Sequence, residues 1–157
     1  MALRRLLPFA LAASFAAPAW CEPVKNFPAR VKVFGKSHTV RSRGELRKVV
    51  EGAARVAAAH TGVPTELLLA LVGRESEFSP VAVKNGLRFG LGQLGSLALK
   101  EVEERYGYKV SDVFDAGQNV KAAAFYLRFI IEHRLAGIPS FKRASHAQVV
   151  KAVLIMY

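Results

Sequence analysis

The stretch PTELLLALVGRESEFSP, residues 64–80, decides how the rest of the chain reads. Pro64 suits the first position of a helix, where its missing N–H would have been an orphan donor and its fixed φ is already helical. Leu67, Leu68, Leu69, Ala70, Leu71 and Val72 follow without a polar interruption. A helix apolar on every side belongs at the centre of a packed domain, so this one is expected to be central and buried. It carries Glu75 near its end. At about 100° per residue, Leu68, Leu71 and Val72 lie within roughly 60° of Glu75 around the helix, so the carboxylate continues an apolar stripe. Burial beside apolar groups and the negative end of the helix dipole both favour the protonated acid. Such a carboxyl is what a general acid needs to protonate a departing oxygen. The alternative is a helix-end glutamate turned to solvent. Glu77, about 200° further around, supplies no evident partner.

Working outward, Ser42 with Glu45 three residues later has the form of a capping box, and Leu46, Val49, Val50, Ala53, Val56 and Ala57 recur at helical spacing up to Gly62. On the other side, SPVAVKNGLRFGLGQLG (79–95) is punctuated by glycine and reads as loop. A helix from about Ser96 to Tyr106 follows, stopped by Gly107. Asp115 with Gln118 opens another, its stripe being Val120, Ala123, Ala124, Leu127, Ile130 and Ile131. Ser145 with Gln148 opens a last one, with Val149, Val150, Val153 and Met156 facing inward. Three capping boxes in one chain predict an all-α domain over residues 42–157. Before it, residues 22–41 form a basic arm with two prolines and a weak alternation at Val31, Val33 and Val40 around Gly35-Lys36, which suits a short hairpin.

Residues 1–21 have the layout of a secretory signal: Arg4 and Arg5, an apolar run from Leu6 to about Phe15, then small residues. The run is too short, and broken by Pro8, for a spanning helix of roughly 20 residues. Export and cleavage, after Ala19 or after Cys21, are therefore expected, which places the mature protein in the periplasm. Lipidation of Cys21 is the alternative, with Trp20 a poor residue before it. Cys21 is the single cysteine, so no internal disulfide is expected. The net charge is +11; removing residues 1–21 takes away two arginines and no acid, leaving 21 basic against 12 acidic residues, or +9. Such a balance suits a polyanionic partner, which outside the cytoplasm means cell wall, anionic lipid or nucleic acid, or else it is solubilising surface charge. Nucleic acid would rest on charge alone, because there is no glycine-rich phosphate loop and no array of base-stacking aromatics, so no such partner is expected. His38, His60, His133 and His146 are scattered, and neither metal nor cofactor is expected.

Three motifs occur in order: Glu75-Ser76-Glu77-Phe78-Ser79-Pro80, then Gly90-Leu91-Gly92-Gln93-Leu94, then Asp115, Asn119, Tyr126 and Leu127. From about Arg43 to Tyr157 the chain resembles the transglycosylase domain of the soluble lytic transglycosylase family, related to goose-type lysozymes. The resemblance implies a lysozyme-like helical domain that cuts peptidoglycan glycan strands, with Glu75 as acid and base and Gln93 hydrogen-bonding substrate in the cleft. It implies that Ser76 supports the Glu75 turn and that the Tyr157 hydroxyl steadies the catalytic carboxyl, as the tyrosine of the family's Ala-x-x-Tyr-Asn-Ala-Gly segment does. Read locally, Ser76 is an ordinary serine at a helix end and Tyr157 an aromatic at a chain end. Asn119 and Tyr126 fix their helix against the cleft, and Phe89 either stacks on a sugar ring or packs the loop.

There are departures from the family pattern. Gly92 stands where methionine is usual, Gly95-Ser96 replaces Met-Pro, and Lys84 falls where many members have serine. These changes are expected to thin the apolar wall of the cleft. The chain also stops before the family's Asn-Ala-Gly, as a truncated fragment or with a cleft open on one side. One carboxyl rather than the usual two suits the family's chemistry, in which the N-acetylmuramic acid assists its own departure and closes to a 1,6-anhydro product. Asp112 and Asp115 remain candidates for a second carboxylate. Alternatives are a goose-type lysozyme that admits water, and a non-catalytic wall-binding or assembly protein of an envelope-spanning secretion, pilus or conjugation machine.

Overall fold

The structure, a computed structural model, describes residues 26–138 and 145–157; the expected signal segment and residues 22–25 of the arm lie outside them. Two small antiparallel sheets accompany five α-helices among the described residues. Strands β1 (Ala29–Val33) and β2 (Lys36–Val40) precede α1 (Arg43–Thr61) and α2 (Thr65–Ser76). Strands β3 (Val83–Lys84) and β4 (Arg88–Phe89) lead to α3 (Ser96–Tyr106) and α4 (Ala116–Phe129). Helix α4 continues as a π-helical turn over Ile130–Leu135, and α5 (His146–Met156) follows. The domain is thus mostly helical.

The arm forms the hairpin that its valines suggest, with Val33 opposite Lys36 and Val31 opposite His38. Phe34 and Gly35 both adopt positive φ, 48° and 81°, which is the two-residue turn whose twist matches that of the strands. Their amides donate to the two oxygens of the Asp115 carboxylate at 2.8 and 2.7 Å. Asp115 also caps α4 by accepting from the Gln118 amide. A side chain at Gly117 would meet the Phe34 ring at 2.7 Å, so glycine is what lets the turn lie on the first residues of α4.

Helix α4 is the hub, packed against α1, α2, α3 and β1. Val120, Ala122, Ala123, Ala124, Leu127 and Ile130 are fully buried on it, and small residues on two of its faces let α1 and α3 approach together. Ile131 is only partly covered. Helix α1 begins at Ser42, whose hydroxyl accepts from the Glu45 amide, but the Glu45 carboxylate reaches the Arg41 amide, one residue too early for a reciprocal box. At α4 the Gln118 carboxamide turns instead to Ser111. The reciprocal box forms only at α5, between Ser145 and Gln148.

Three burial expectations need correcting. Val56 is 43% exposed, since the α1 stripe runs through Ala54 beside the expected Ala53 and Ala57. Helix α2 is not covered all round: Leu68, Leu71 and Val72 are fully buried, Leu67 and Leu69 are half-buried and Ala70 faces out. Pro64 is the N-cap, not the first helical residue. On α5, Val153 is buried while Val149, Val150 and Met156 are partly covered. No helix among the described residues is long and apolar enough to cross a membrane.

Candidate active site

Glu75 sits in the last turn of α2, where the chain then reverses. Glu77 and Phe78 take up left-handed backbone at φ 49° and 64°, an uncommon pair of conformations for residues with side chains. The Ser79 amide closes the turn on the Ser76 carbonyl at 2.8 Å. The reversal lays the Phe78 ring on Gly73, 3.3 Å from where a Cβ would stand, and Arg47 covers the ring at 5.0 Å. Ser76 is fully buried, its hydroxyl donating to the Val72 carbonyl at 3.1 Å, so it supports the turn from inside and does not line an open cleft. Glu77 lies beyond the helix, so this reversal, and not helical angle, sets its direction relative to Glu75.

The Glu75 side chain is 10% exposed. Its Oε1 accepts from both Nε, at 3.0 Å, and Nη2 of Arg74. Sequence reasoning left this carboxylate without a counter-charge, because neighbours on a helix diverge by about 100° and only the long arginine stem brings the guanidinium round. The Nη1 of the same group donates to the Leu154 carbonyl, which fastens α5 to the end of α2.

The segment 79–95, expected as plain loop, holds β3 and β4 and a further bridge between Phe89 and Leu94. Asn119 pins it to α4. Its Oδ1 accepts from the Gly92 amide at 2.7 Å, and its Nδ2 donates to the carbonyls of Phe89 at 3.0 Å and Val113 at 2.9 Å. Gly90 is required by a φ of 71° and by the Asn119 side chain against it. A Cβ on Gly92 would stand 2.8 Å from both the Ala123 Cβ and the Tyr157 hydroxyl. That space is therefore filled by α4 and by Tyr157, and the wall is not thinned there as expected.

Gln93, at φ 49°, is buried, and its Nε2 donates to Ala82 at 3.1 Å and Gly90 at 2.7 Å. This amide nitrogen ties the loop to itself. The Tyr157 hydroxyl donates to the Gly92 carbonyl at 2.8 Å instead of to Glu75. Burial, and next the nearby Glu75 anion, push that phenol well above its ordinary range, with Arg74 and Arg88 opposing. Tyr126 packs edge-on against the Tyr157 ring at 5.5 Å. Phe89 is half-buried and meets Phe114 edge-on at 6.1 Å, so loop packing accounts for the face it shows to the protein.

Neither candidate for a second carboxylate is free. Asp115 is buried under the hairpin amides, and Asp112 binds Lys32 at 3.1 Å and the Phe114 amide at 3.0 Å. The Lys32 hydrogen bond is the main reason its carboxyl is held below the usual range. Among the described residues no group of three or more His, Cys, Asp or Glu is placed to hold a metal ion.

A mostly helical domain that presents a largely covered carboxylate, Glu75, near a glycine loop, with Asp112 and Asp115 taken up by hydrogen bonds, has the makings of a site for acid chemistry. The sequence model of the Transglycosylase SLT domain matches residues 52–151. The chain belongs to this family of lysozyme-like, peptidoglycan-directed transglycosylase domains. A comparison with curated proteins found no match.

Proposed function

We propose that the protein is a lytic transglycosylase that cuts the β-1,4 bond between N-acetylmuramic acid and N-acetylglucosamine and leaves a 1,6-anhydro end. The observation that carries this reading is the placement of Glu75: it lies 10% exposed at the end of α2 with its carboxylate held by the Arg74 side chain, while Asp112 and Asp115, the other candidates, are held by backbone amides. Service by Asp112 or Asp115 as nucleophile or as base for water is thereby disfavoured.

Glu75 gives its proton to the glycosidic oxygen as the C1–O bond breaks, and the N-acetylglucosamine leaves as an alcohol. The acetamido oxygen of the muramic acid stabilises the electron-poor C1. Glu75, now the carboxylate, takes the proton of the C6 hydroxyl while O6 bonds to C1, which returns the acid to its starting state. The buried amide of Gln93 and the Asn119 contacts keep the loop in shape beside the carboxyl, and the Oε1 of Gln93 and the Phe89 ring are the groups proposed to meet sugar. Export by residues 1–21, with action in the periplasm, completes the reading, and the basic surface suits an anionic wall. Service to a secretion, pilus or conjugation machine is a narrower form of the same proposal.

Mass spectrometry of muropeptides released by the chain tests the reaction. Products carrying 1,6-anhydro ends support it, reducing ends assign a hydrolase, and retention on insoluble wall without release assigns a binder.

A further inference from the structure

The Arg74 guanidinium holds two partners at once. Its Nε and Nη2 are on the Glu75 carboxylate, and its Nη1 is on the Leu154 carbonyl. The Arg74 side chain is 31% exposed and that of Glu75 only 10%, so more of the cation than of the acid is open to a solute.

A general acid must be neutral before the first step. When Glu75 takes up its proton, the anion that balanced Arg74 disappears, and a largely covered guanidinium is left without a counter-charge, which is a costly state. A second anion arriving with the substrate removes that cost. Of the two sugars that alternate in the glycan, only the muramic acid bears a carboxyl substituent, a lactyl ether at C3 of the ring whose C1 reacts. In glycan stripped of its peptide stems this is a free carboxylate, and the planar guanidinium fork is built to receive one. The Leu154 carbonyl keeps Nη1 in place, so the fork can change partners while staying at the site.

We propose, on the reading of Glu75 as the acid, that Arg74 is a specificity-determining residue whose guanidinium exchanges the Glu75 carboxylate for the lactyl carboxylate of a stem-free muramyl unit. An anionic sugar then releases the acid for use more readily than a neutral one does.

The test compares kcat/KM on stem-free muramyl glycan and on a chito-oligosaccharide of equal length, for the wild-type chain, Arg74→Gln and Arg74→Lys. The muramyl-to-chito ratio is expected to fall by about tenfold or more in Arg74→Gln and to stay within about threefold of wild type in Arg74→Lys. A ratio within about twofold of wild type in Arg74→Gln overturns the assignment, because a merely structural bolt between α2 and α5 would slow both substrates alike. A binding comparison decides the matter if the variant does not fold or if no glycan is cut. N-acetylmuramic acid should bind the wild-type chain more tightly than its methyl ester, and more tightly still to Glu75→Gln, where the competing carboxylate is gone. Equal binding of acid and ester overturns the role of Arg74. Failure to cut either glycan removes the proposed activity and leaves the binding result to stand or fall alone.

Discussion

The hydroxyl of Tyr157 donates to the carbonyl of Gly92 at 2.8 Å, and the Cβ that Gly92 lacks would have stood 2.8 Å from that same oxygen. The glycine and the tyrosine therefore define each other. Filling one position displaces the other, and the loop beside Glu75 is shaped by both.

Gly92→Ala should destabilise the domain by about 1–3 kcal/mol, because the added carbon meets both Ala123 and Tyr157. Tyr157→Phe removes one hydrogen bond, worth about 1 kcal/mol. Combined, they should cost less than their sum, since the phenylalanine vacates part of the space the alanine needs. Denaturant titration of the two single variants and the double variant checks this; strict additivity would show that the two residues are not in contact.

Glu75→Gln should abolish glycan cleavage and leave the helical circular dichroism intact, since the amide keeps the shape and lacks the transferable proton. Glu77→Gln should be nearly silent. Cleavage by Glu75→Gln within about tenfold of wild type, a barrier change of about 1.4 kcal/mol, would take Glu75 out of the role.

Asn119→Ala strips three hydrogen bonds from the loop and from α4, leaving the Gly92 amide and the Phe89 and Val113 carbonyls without that partner. A loss of about 3 kcal/mol is expected, with a fall in Tm of roughly 10 °C. Asn119→Asp should not rescue it, because a carboxylate would face two carbonyl oxygens. A thermal melt of either variant unchanged from wild type contradicts the pinning role.

The tyrosines set the alkaline limit. Burial, with Asp115 nearby, pushes Tyr108 up to about 12, and burial first of all also raises Tyr106 and Tyr157. For a group raised by folding, the stability it lends is fully present below the unfolded value near 10 and is lost as pH climbs towards the folded one. Absorbance at 295 nm should show these phenols ionising late, with unfolding accompanying the rise between about pH 10 and 12. Ionisation of Tyr106, Tyr108 and Tyr157 in one step near pH 10, with the fold retained, would contradict their burial.

The helix boundaries were legible because capping and stopping are local: Ser42, Asp115 and Ser145 begin helices and Gly62 and Gly107 end them in left-handed backbone. The hairpin was legible from Gly35 and the alternating valines. Long-range choices were not. Nothing near Glu45 announces that it will prefer the Arg41 amide, and nothing near Asn119 announces three partners drawn from positions 89, 92 and 113. The Arg74–Glu75 pair was hidden for a different reason, since adjacent helical residues face apart and only side-chain length reunites them. Residues 89 and 93 illustrate the remaining gap: a motif places them at the site but does not say which atoms the fold has already taken.

Retention on the wall should fall with salt. The Debye length shrinks from about 10 Å at 0.1 M to about 3 Å at 1 M, so attraction between a surface of net charge +11, or +9 without residues 1–21, and stem-peptide carboxylates weakens. Turnover of a short soluble chito-oligosaccharide, governed by short-range contacts, should depend on salt less. Pelleting with insoluble peptidoglycan that stays flat from about 0.05 to 0.5 M would assign the basic surface to another partner.

The hairpin turn has a timing consequence. Phe34 and Gly35 form a local element that can close within microseconds of leaving the ribosome, yet the carboxylate that receives their amides belongs to Asp115, 80 positions later. At a synthesis rate of about 5–20 residues per second, Asp115 is made several seconds after the turn, and an isolated two-stranded hairpin is at best marginally stable over such a wait. Docking and the start of α4 then depend on one side chain, so the hairpin and the central helix become native together.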